Sequence, residues 1–162
     1  MLIYPELEII TNFYGDRKAH RSGVPLINHI HEGISIIRAL NGGVLTRTER
    51  AFCIHPIVQM GIKWNFNDIA ASVVWMAEEY AQKANSFLCK PETDHITAII
   101  DVHTLVGKMS HECAVMLYAD KIQNQKDFQL YHQNSHPRSK QLTKYFNTWL
   151  KYLLSYHPGI LR

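Results

Sequence analysis

Three polar side chains stand within otherwise apolar helical segments, and their types are those of a metal site. His29 lies in an apolar stripe, His55 ends the run Ala-Phe-Cys-Ile, and Asp120 closely follows the run Val-Met-Leu-Tyr. A buried carboxylate without a partner is costly, so Asp120 is expected to be ion-paired or to bind a metal. Two imidazoles and one carboxylate from three helices of a bundle are a ligand set for Zn²⁺, Mn²⁺ or Fe²⁺. The spacing leaves a second interpretation open, in which both histidines are hydrogen-bonded core residues and Asp120 caps a helix or pairs with a cation.

The composition is that of one folded domain in a reducing compartment. The chain has 162 residues, of which 46% are hydrophobic and 19% charged; these values exclude disorder and predict a single domain over residues 1–162. The N-terminus lacks the basic start of a signal peptide, and no apolar run approaches the roughly 20 residues of a membrane span. Three cysteines without CxxC spacing indicate reduced thiols. We therefore expect a cytoplasmic protein without membrane association, and a homo-oligomer stays open.

Charge and histidine content bear on the kind of ligand. The net charge is only +3 at pH 7, and ten of the residues are histidines. Nucleic-acid-binding domains concentrate Lys and Arg in a stripe, whereas the densest basic cluster here is Arg17, Lys18 and Arg21. That cluster suits a phosphorylated small molecule better than a DNA or RNA duplex. Histidine is the commonest metal ligand and the usual acid–base group near neutral pH, so its abundance also indicates a chemical site.

Helical periodicity dominates the chain and strand alternation is nearly absent, which predicts an all-α bundle of about seven helices. Capping residues such as Ser110 and Ser139 mark helix starts, and Gly107 marks an end. The predicted helices run over residues 5–14, 25–40, 46 or 48 to 54, 67 or 68 to 85, 93 or 94 to 106, 110 to at least 126, and 139–153.

Three motifs follow one another along the chain: HRSGVPLINH at 20–29, AFCIHPIVQ at 51–59 and YADKIQN at 118–124. In the same order they resemble the stretches R-K-S-G-x-P-Y-I-x-H, A-x-L-L-H-D-x-x-E and L-A-D-R/K-L-x-N of the HD-type (p)ppGpp hydrolase domain of the RelA/SpoT family. The resemblance spans about residues 15 to 130. It implies a compact HD-type helical bundle and a small stand-alone protein of the kind also carried by bacteriophages, in which case the compartment is the host cytoplasm.

The resemblance implies a metal site, but one that departs from the family's pattern. In that family two histidines and two aspartates ligate one metal ion, often manganese, and His29, His55 and Asp120 match three of these ligands. Pro56 stands where the fourth ligand, the aspartate of the HD pair, is expected. Proline has no side-chain ligand, and its missing N–H also removes a helical hydrogen bond to the carbonyl of Phe52.

The departure extends to the residue associated with the attacking water. Gln59 stands where the family has an acidic residue that orients or activates that water. An amide does not act as a base near pH 7, although it can orient water or substrate. Asn124 matches an asparagine expected to hydrogen-bond substrate, and Arg17, Lys18 and Arg21 are expected to hold phosphates or to stack on a base.

Three functions stay open at this point. The first is a phosphohydrolase dependent on Mn, Zn or Fe that acts on a phosphorylated nucleotide such as (p)ppGpp or a related signal nucleotide. It needs a further acid or base, for which His20, His31 and Glu32 are candidates. The second is a hydrolysis-deficient protein that binds and sequesters such a nucleotide. The third is a scaffold that binds a protein partner through the aromatic C-terminal helix, over residues 139–153.

Overall fold

The chain folds into a bundle of α-helices built around one buried helix. The computed structural model describes residues 4–15, 25–41, 46–88, 103–131, 133–137 and 139–161. Across these ranges the helices are α1 (Pro5–Tyr14), α2 (Leu26–Asn41), α3 (Thr46–Gln59), α4 (Ala71–Leu88), α5 (103–108), α6 (His111–Tyr131) and α7 (Ser139–Tyr156), followed by a 3₁₀ turn at Pro158–Ile160. The predicted all-α bundle of about seven helices is confirmed. None of the helices in the described ranges is long and apolar enough to cross a bilayer.

Helix α3 is the central element of the bundle. Every residue from Ala51 to Ile57 is buried, and the helix packs against α1, α2, α4 and α6. Apart from His55, residues 51–57 are apolar on every side of the helix, which accounts for the position of this part of α3 in the interior. Gly33 lets α2 approach closely, because a Cβ at this position would lie 2.1 Å from the Phe52 ring. The contact occurs one helical turn from His29, so it also sets the separation of the two histidine-bearing helices.

Two helices continue beyond the ends predicted for them, and one of these ends is next to His55. The helix predicted to end at Ile54 continues through Pro56 to Gln59, so the proline lies inside α3. A proline within a helix removes one hydrogen bond and crowds the preceding turn, but burial on all sides of α3 holds the helix together across it. Helix α5 likewise continues past Gly107 to Lys108.

The start predicted for α4 at Asn67 or Asp68 is wrong. The helix begins at Ala71, and residues 66–69 form a turn. The Ile69 N–H donates to the Phe66 carbonyl at 2.9 Å, and the Asn67 N–H donates to the Asn65 side chain at 3.1 Å. Polar residues that favour helix caps also favour such turns, which explains the error. The start predicted at 93 or 94 lies outside the described residues, whereas the bounds of α1 and the starts of α6 and α7 agree with prediction to within one residue.

Two buried carboxylates join α1, α2 and α3 at one corner of the bundle. Glu6 is fully buried and accepts hydrogen bonds from the Arg50 guanidinium at 2.7, 3.0 and 3.1 Å. Glu49 is also buried; it accepts the Tyr4 hydroxyl at 2.8 Å and pairs with Arg38. Because buried carboxylates are tolerated when their lone pairs are satisfied, these pairs fix the relative positions of the three helices.

Replacing Arg50 by methionine is expected to destabilise the fold by about 2 kcal/mol, since it leaves the Glu6 charge buried without its partner while keeping the apolar stem. The side chain of Arg50 is one-third exposed, so water limits the loss. Urea unfolding followed by circular dichroism measures it. The matched control is Arg47→Met, which breaks a surface pair with Glu112 and should change stability little. Equal stability of both variants would contradict a structural role for the Glu6 pair.

Cys53 and Cys113 are free, buried thiols. Burial raises the pKa of each to about 12, and for Cys53 the nearby Glu6 and Glu49 charges act in the same direction. Both thiols therefore stay protonated at neutral pH and pack as small apolar groups.

Candidate metal centre

Helices α2, α3 and α6 each contribute one polar side chain to a single buried cluster. His29 comes from α2, His55 from α3 and Asp120 from α6, and their exposed fractions are 8%, 2% and 5%. One nitrogen or oxygen atom from each lies within 4.8 Å of the other two. The three ligands expected from the sequence are thus brought together, although 91 positions separate His29 from Asp120 in the chain.

The distances within the cluster suit a divalent ion. Asp120 Oδ1 lies 3.0 Å from His29 Nε2 and 3.7 Å from His55 Nε2. Ligand atoms that share an ion through bonds of about 2.1 Å lie roughly 3–4 Å apart, so only small shifts are needed to enclose one. Two imidazole nitrogens and one carboxylate oxygen are also a donor set used for Zn²⁺ and Fe²⁺. The residues present therefore fit a divalent metal.

Two of the three side chains are in the protonation state that a cation needs. Burial lowers the pKa of His55 to about 4, so its imidazole is neutral at neutral pH and has a free lone pair. Burial alone would raise the pKa of Asp120, but the hydrogen bond from His29 and the charge of Lys121 outweigh it and hold that pKa well below its usual range. Burial alone would lower the pKa of His29, but the hydrogen bond to Asp120 and the charge of Asp120 outweigh burial and raise that pKa. A metal ion at this position must displace the proton that His29 shares with Asp120, so metal affinity should rise with pH.

Gln123 connects the cluster to a further carboxylate and was not predicted from the sequence. It is buried, accepts a hydrogen bond from His29 Nδ1 through its Oε1, and donates from Nε2 to Glu32 at 3.2 Å. Glu32 also lies 3.9 Å from Lys126. Hydrogen-bonding partners behind a ligating histidine orient its ring, and Gln123 has this role here. Gln123 comes three residues after Asp120 and so lies on the same face of α6, which is the sequence signal that could have identified it.

Lys121 supplies a buried positive charge beside the cluster. Its ammonium lies 3.5 Å from Asp120 Oδ2 and donates to the Tyr145 hydroxyl at 3.2 Å. It also lies over the Trp149 ring, 5.4 Å from the centroid. The charge keeps Asp120 ionised, and the aromatic rings of α7 replace the water that a lysine normally holds.

Tyr80 of α4 closes the other side of the cluster. Its ring meets the His55 ring edge-on, with 4.9 Å between centroids, and the residue is fully buried. Its hydroxyl makes no hydrogen bond of regular geometry within the described residues. Burial and then the charge of Asp120 hold the pKa of Tyr80 well above its usual range. The Tyr80 hydroxyl therefore lies beside the Asp120 carboxylate, inside the cluster.

The remaining predicted site residues lie around this cluster or outside the described chain. Gln59 and Asn124 are half-buried and lie one turn beyond His55 and Asp120 on the same helices. His31 is exposed on α2. The predicted phosphate-binding residues and one candidate base lie outside the described residues: Arg17, Lys18, Arg21 and His20.

The aromatic face of α7 points into the bundle. Trp149 is fully buried and Phe146 nearly so, while Tyr145 and Tyr152 are half-buried. Tyr145 and Trp149 contact Lys121 of α6, Phe146 contacts Phe128 of the same helix, and Tyr152 contacts His103 of α5. Trp149 and Phe146 therefore contribute to the interior of the bundle.

Comparison of the chain with known protein families, with curated proteins and with solved structures finds no match.

Proposed function

We propose that the chain binds a divalent metal ion through His29, His55 and Asp120 and uses this centre to recognise a phosphorylated nucleotide. The observation that carries the proposal is the convergence of three buried ligand atoms within 4.8 Å from three helices. The resemblance of the surrounding motifs to an HD-type hydrolase domain supports it, because the same three positions match metal ligands there.

The proposed reaction is attack of water on a phosphoester or phosphoanhydride. A divalent cation in this site supplies Lewis-acid polarisation of a phosphoryl oxygen and activation of water. Asp120 would provide a negatively charged ligand and His55 a neutral nitrogen ligand. A site with only three protein ligands would also leave room for a substrate oxygen. Manganese, zinc and iron all accept this ligand set.

The nucleotide part of the proposal rests on residues around the metal ligands. Asn124 and Gln59 offer amide groups one turn from the cluster, on the same helices as two of the proposed metal ligands. A (p)ppGpp-like signal nucleotide is the substrate that the motif resemblance favours. Arg17, Lys18 and Arg21 are proposed to hold its phosphates.

A binder without hydrolysis is the second candidate, and a specific observation favours it. Position 56 is a buried proline and position 59 a glutamine, so α3 has no carboxylate at the two positions where the resembled family has one. Apart from Asp120, two described carboxylates act on the cluster from outside it: Glu32 is hydrogen-bonded to it through Gln123, and Asp127 acts on His29 through its charge. Such a site would retain a nucleotide without a general base to activate water.

One incubation distinguishes the two candidates. Purified protein, with and without Mn²⁺, is mixed with a panel of guanine, adenine, deoxy- and cyclic nucleotides, and the filtrate is chromatographed before and after heat denaturation of the protein. Metal-dependent product peaks are expected for a hydrolase, and a nucleotide that disappears and returns intact is expected for a binder.

Two variants connect the result to the site. His29→Gln should reduce product formation or nucleotide retention, whichever is found, by at least tenfold. His111→Gln changes an exposed histidine at the start of α6 and should leave that activity unchanged. If every nucleotide stays free and intact in the presence of Mn²⁺, both candidates are contradicted. Product formation that survives in His29→Gln would contradict the assignment of the site.

A further inference from the structure

Pro56 changes the hydrogen bonding around His55 as well as removing a carboxylate. In a regular helix the N–H of residue 56 would donate to the carbonyl of Phe52, four residues earlier. Proline has no N–H, so this buried carbonyl loses its helical partner. In the structure His55 Nδ1 lies 2.6 Å from the Phe52 oxygen. Because a carbonyl only accepts, the His55 Nδ1–H is the donor.

The proton on Nδ1 decides which nitrogen of His55 is available to a ligand. In the neutral ring the other nitrogen, Nε2, then carries the lone pair. Nε2 is the atom that faces Asp120, at 3.7 Å. The Phe52 carbonyl, which lacks a helical partner, thus orients the His55 ring so that the lone pair of Nε2 points into the cluster.

His29 turns the same ring nitrogen toward Asp120 through a different partner. The Glu32 carboxylate only accepts, so the Gln123 amide must turn its Nε2 to Glu32 and its Oε1 to His29. His29 Nδ1 therefore donates, and Nε2 faces Asp120 at 3.0 Å. Both histidines present the same nitrogen, one through a side-chain amide and one through a main-chain carbonyl.

We propose that Pro56 is a positioning residue, which frees the Phe52 carbonyl to fix His55 as an Nε2 ligand and so makes the cluster a three-ligand centre. Compared with the aspartate of the resembled family, proline at position 56 offers no carboxylate but fixes the orientation of the neighbouring histidine. The tautomer is a property of the chain alone; the consequence for metal binding rests on the proposed function.

The first measurement is the tautomer of His55. Long-range ¹H–¹⁵N correlation spectra of histidine-labelled, chelator-treated protein at pH 7.5 are expected to place the His55 proton on Nδ1. In Pro56→Ala the restored N–H competes for the Phe52 carbonyl, so the spectrum should change to a mixture of tautomers or to Nε2–H. Pro137→Ala, at an exposed turn, controls for loss of a proline and should leave the spectrum unchanged.

The second measurement is divalent metal affinity of the same proteins by chelator competition. Pro56→Ala is expected to bind Mn²⁺ and Zn²⁺ about 10–100-fold more weakly, as found when the partner of a ligating histidine is removed. Pro56→Asp adds the same N–H together with a carboxylate, so it should show the changed tautomer while metal affinity is recovered or exceeded.

A wild-type spectrum with the His55 proton on Nε2 would overturn the inference without any variant. An unchanged His55 tautomer in folded Pro56→Ala or Pro56→Asp would do the same. Failure of the wild-type protein to bind metal contradicts the proposed function instead, and the spectra still decide the role of Pro56.

Discussion

Replacing Asp120 by asparagine should reduce divalent metal affinity by more than 100-fold. Asp120 is the single carboxylate of the cluster, and its Oδ1 approaches the Nε2 atoms of both His29 and His55. Loss of a partner behind a metal ligand costs about 10–100-fold, so loss of the charged ligand itself should cost more. Titration of Mn²⁺ and Zn²⁺ against a chromophoric chelator measures the change.

The same substitution should also destabilise the chelator-treated protein by about 3 kcal/mol, because it leaves the buried positive charges of His29 and Lys121 without their counter-ion. Asp68→Asn is the matched control: Asp68 is exposed in the turn before α4, so neither metal affinity nor stability should change. Asp120→Asn protein that binds metal as tightly as the wild type would refute the proposed centre. Retained stability alone would show that the ion pairs contribute little.

Replacing Gly33 by alanine should destabilise the fold by about 3 kcal/mol or more. An added Cβ would lie 2.1 and 2.2 Å from two atoms of the Phe52 ring, and Phe52 is fully buried on the central helix. A fully packed interior has no room for the ring to turn away, so α2 and α3 must separate. Urea unfolding of the two proteins measures the difference.

Replacing Gly33 by alanine should also weaken metal binding. The Phe52 ring lies 4.5 Å from the His55 ring and 5.5 Å from the His29 ring, measured between centroids. Separation of α2 and α3 therefore moves the two histidines apart, and metal affinity should fall together with stability. Gly107→Ala is the control, since its Cβ meets nothing closer than 3.4 Å and should be tolerated. Wild-type stability in Gly33→Ala would show that the helices are less closely packed than described.

Local sequence signals were enough to predict most of the helices. The apolar stripe of α1 predicted both of its bounds, and the serine that starts α7 predicted that start to within one residue. Such signals are local, because capping and periodicity depend on residues one turn apart. Where the prediction failed, at Ile54 and at Asn67, a packing contact or a competing turn outweighed the local preference.

The sequence by itself determined the helical class and named the three cluster residues, since a polar residue within an apolar face must find a partner. Only the tertiary structure decided which residues contact these three side chains. Gln123 and Tyr80 join the cluster because of the rotation and register of α6 and α4, which depend on packing across the whole bundle. The direction of each imidazole was likewise decided there, by a carbonyl and an amide whose positions no local pattern encodes.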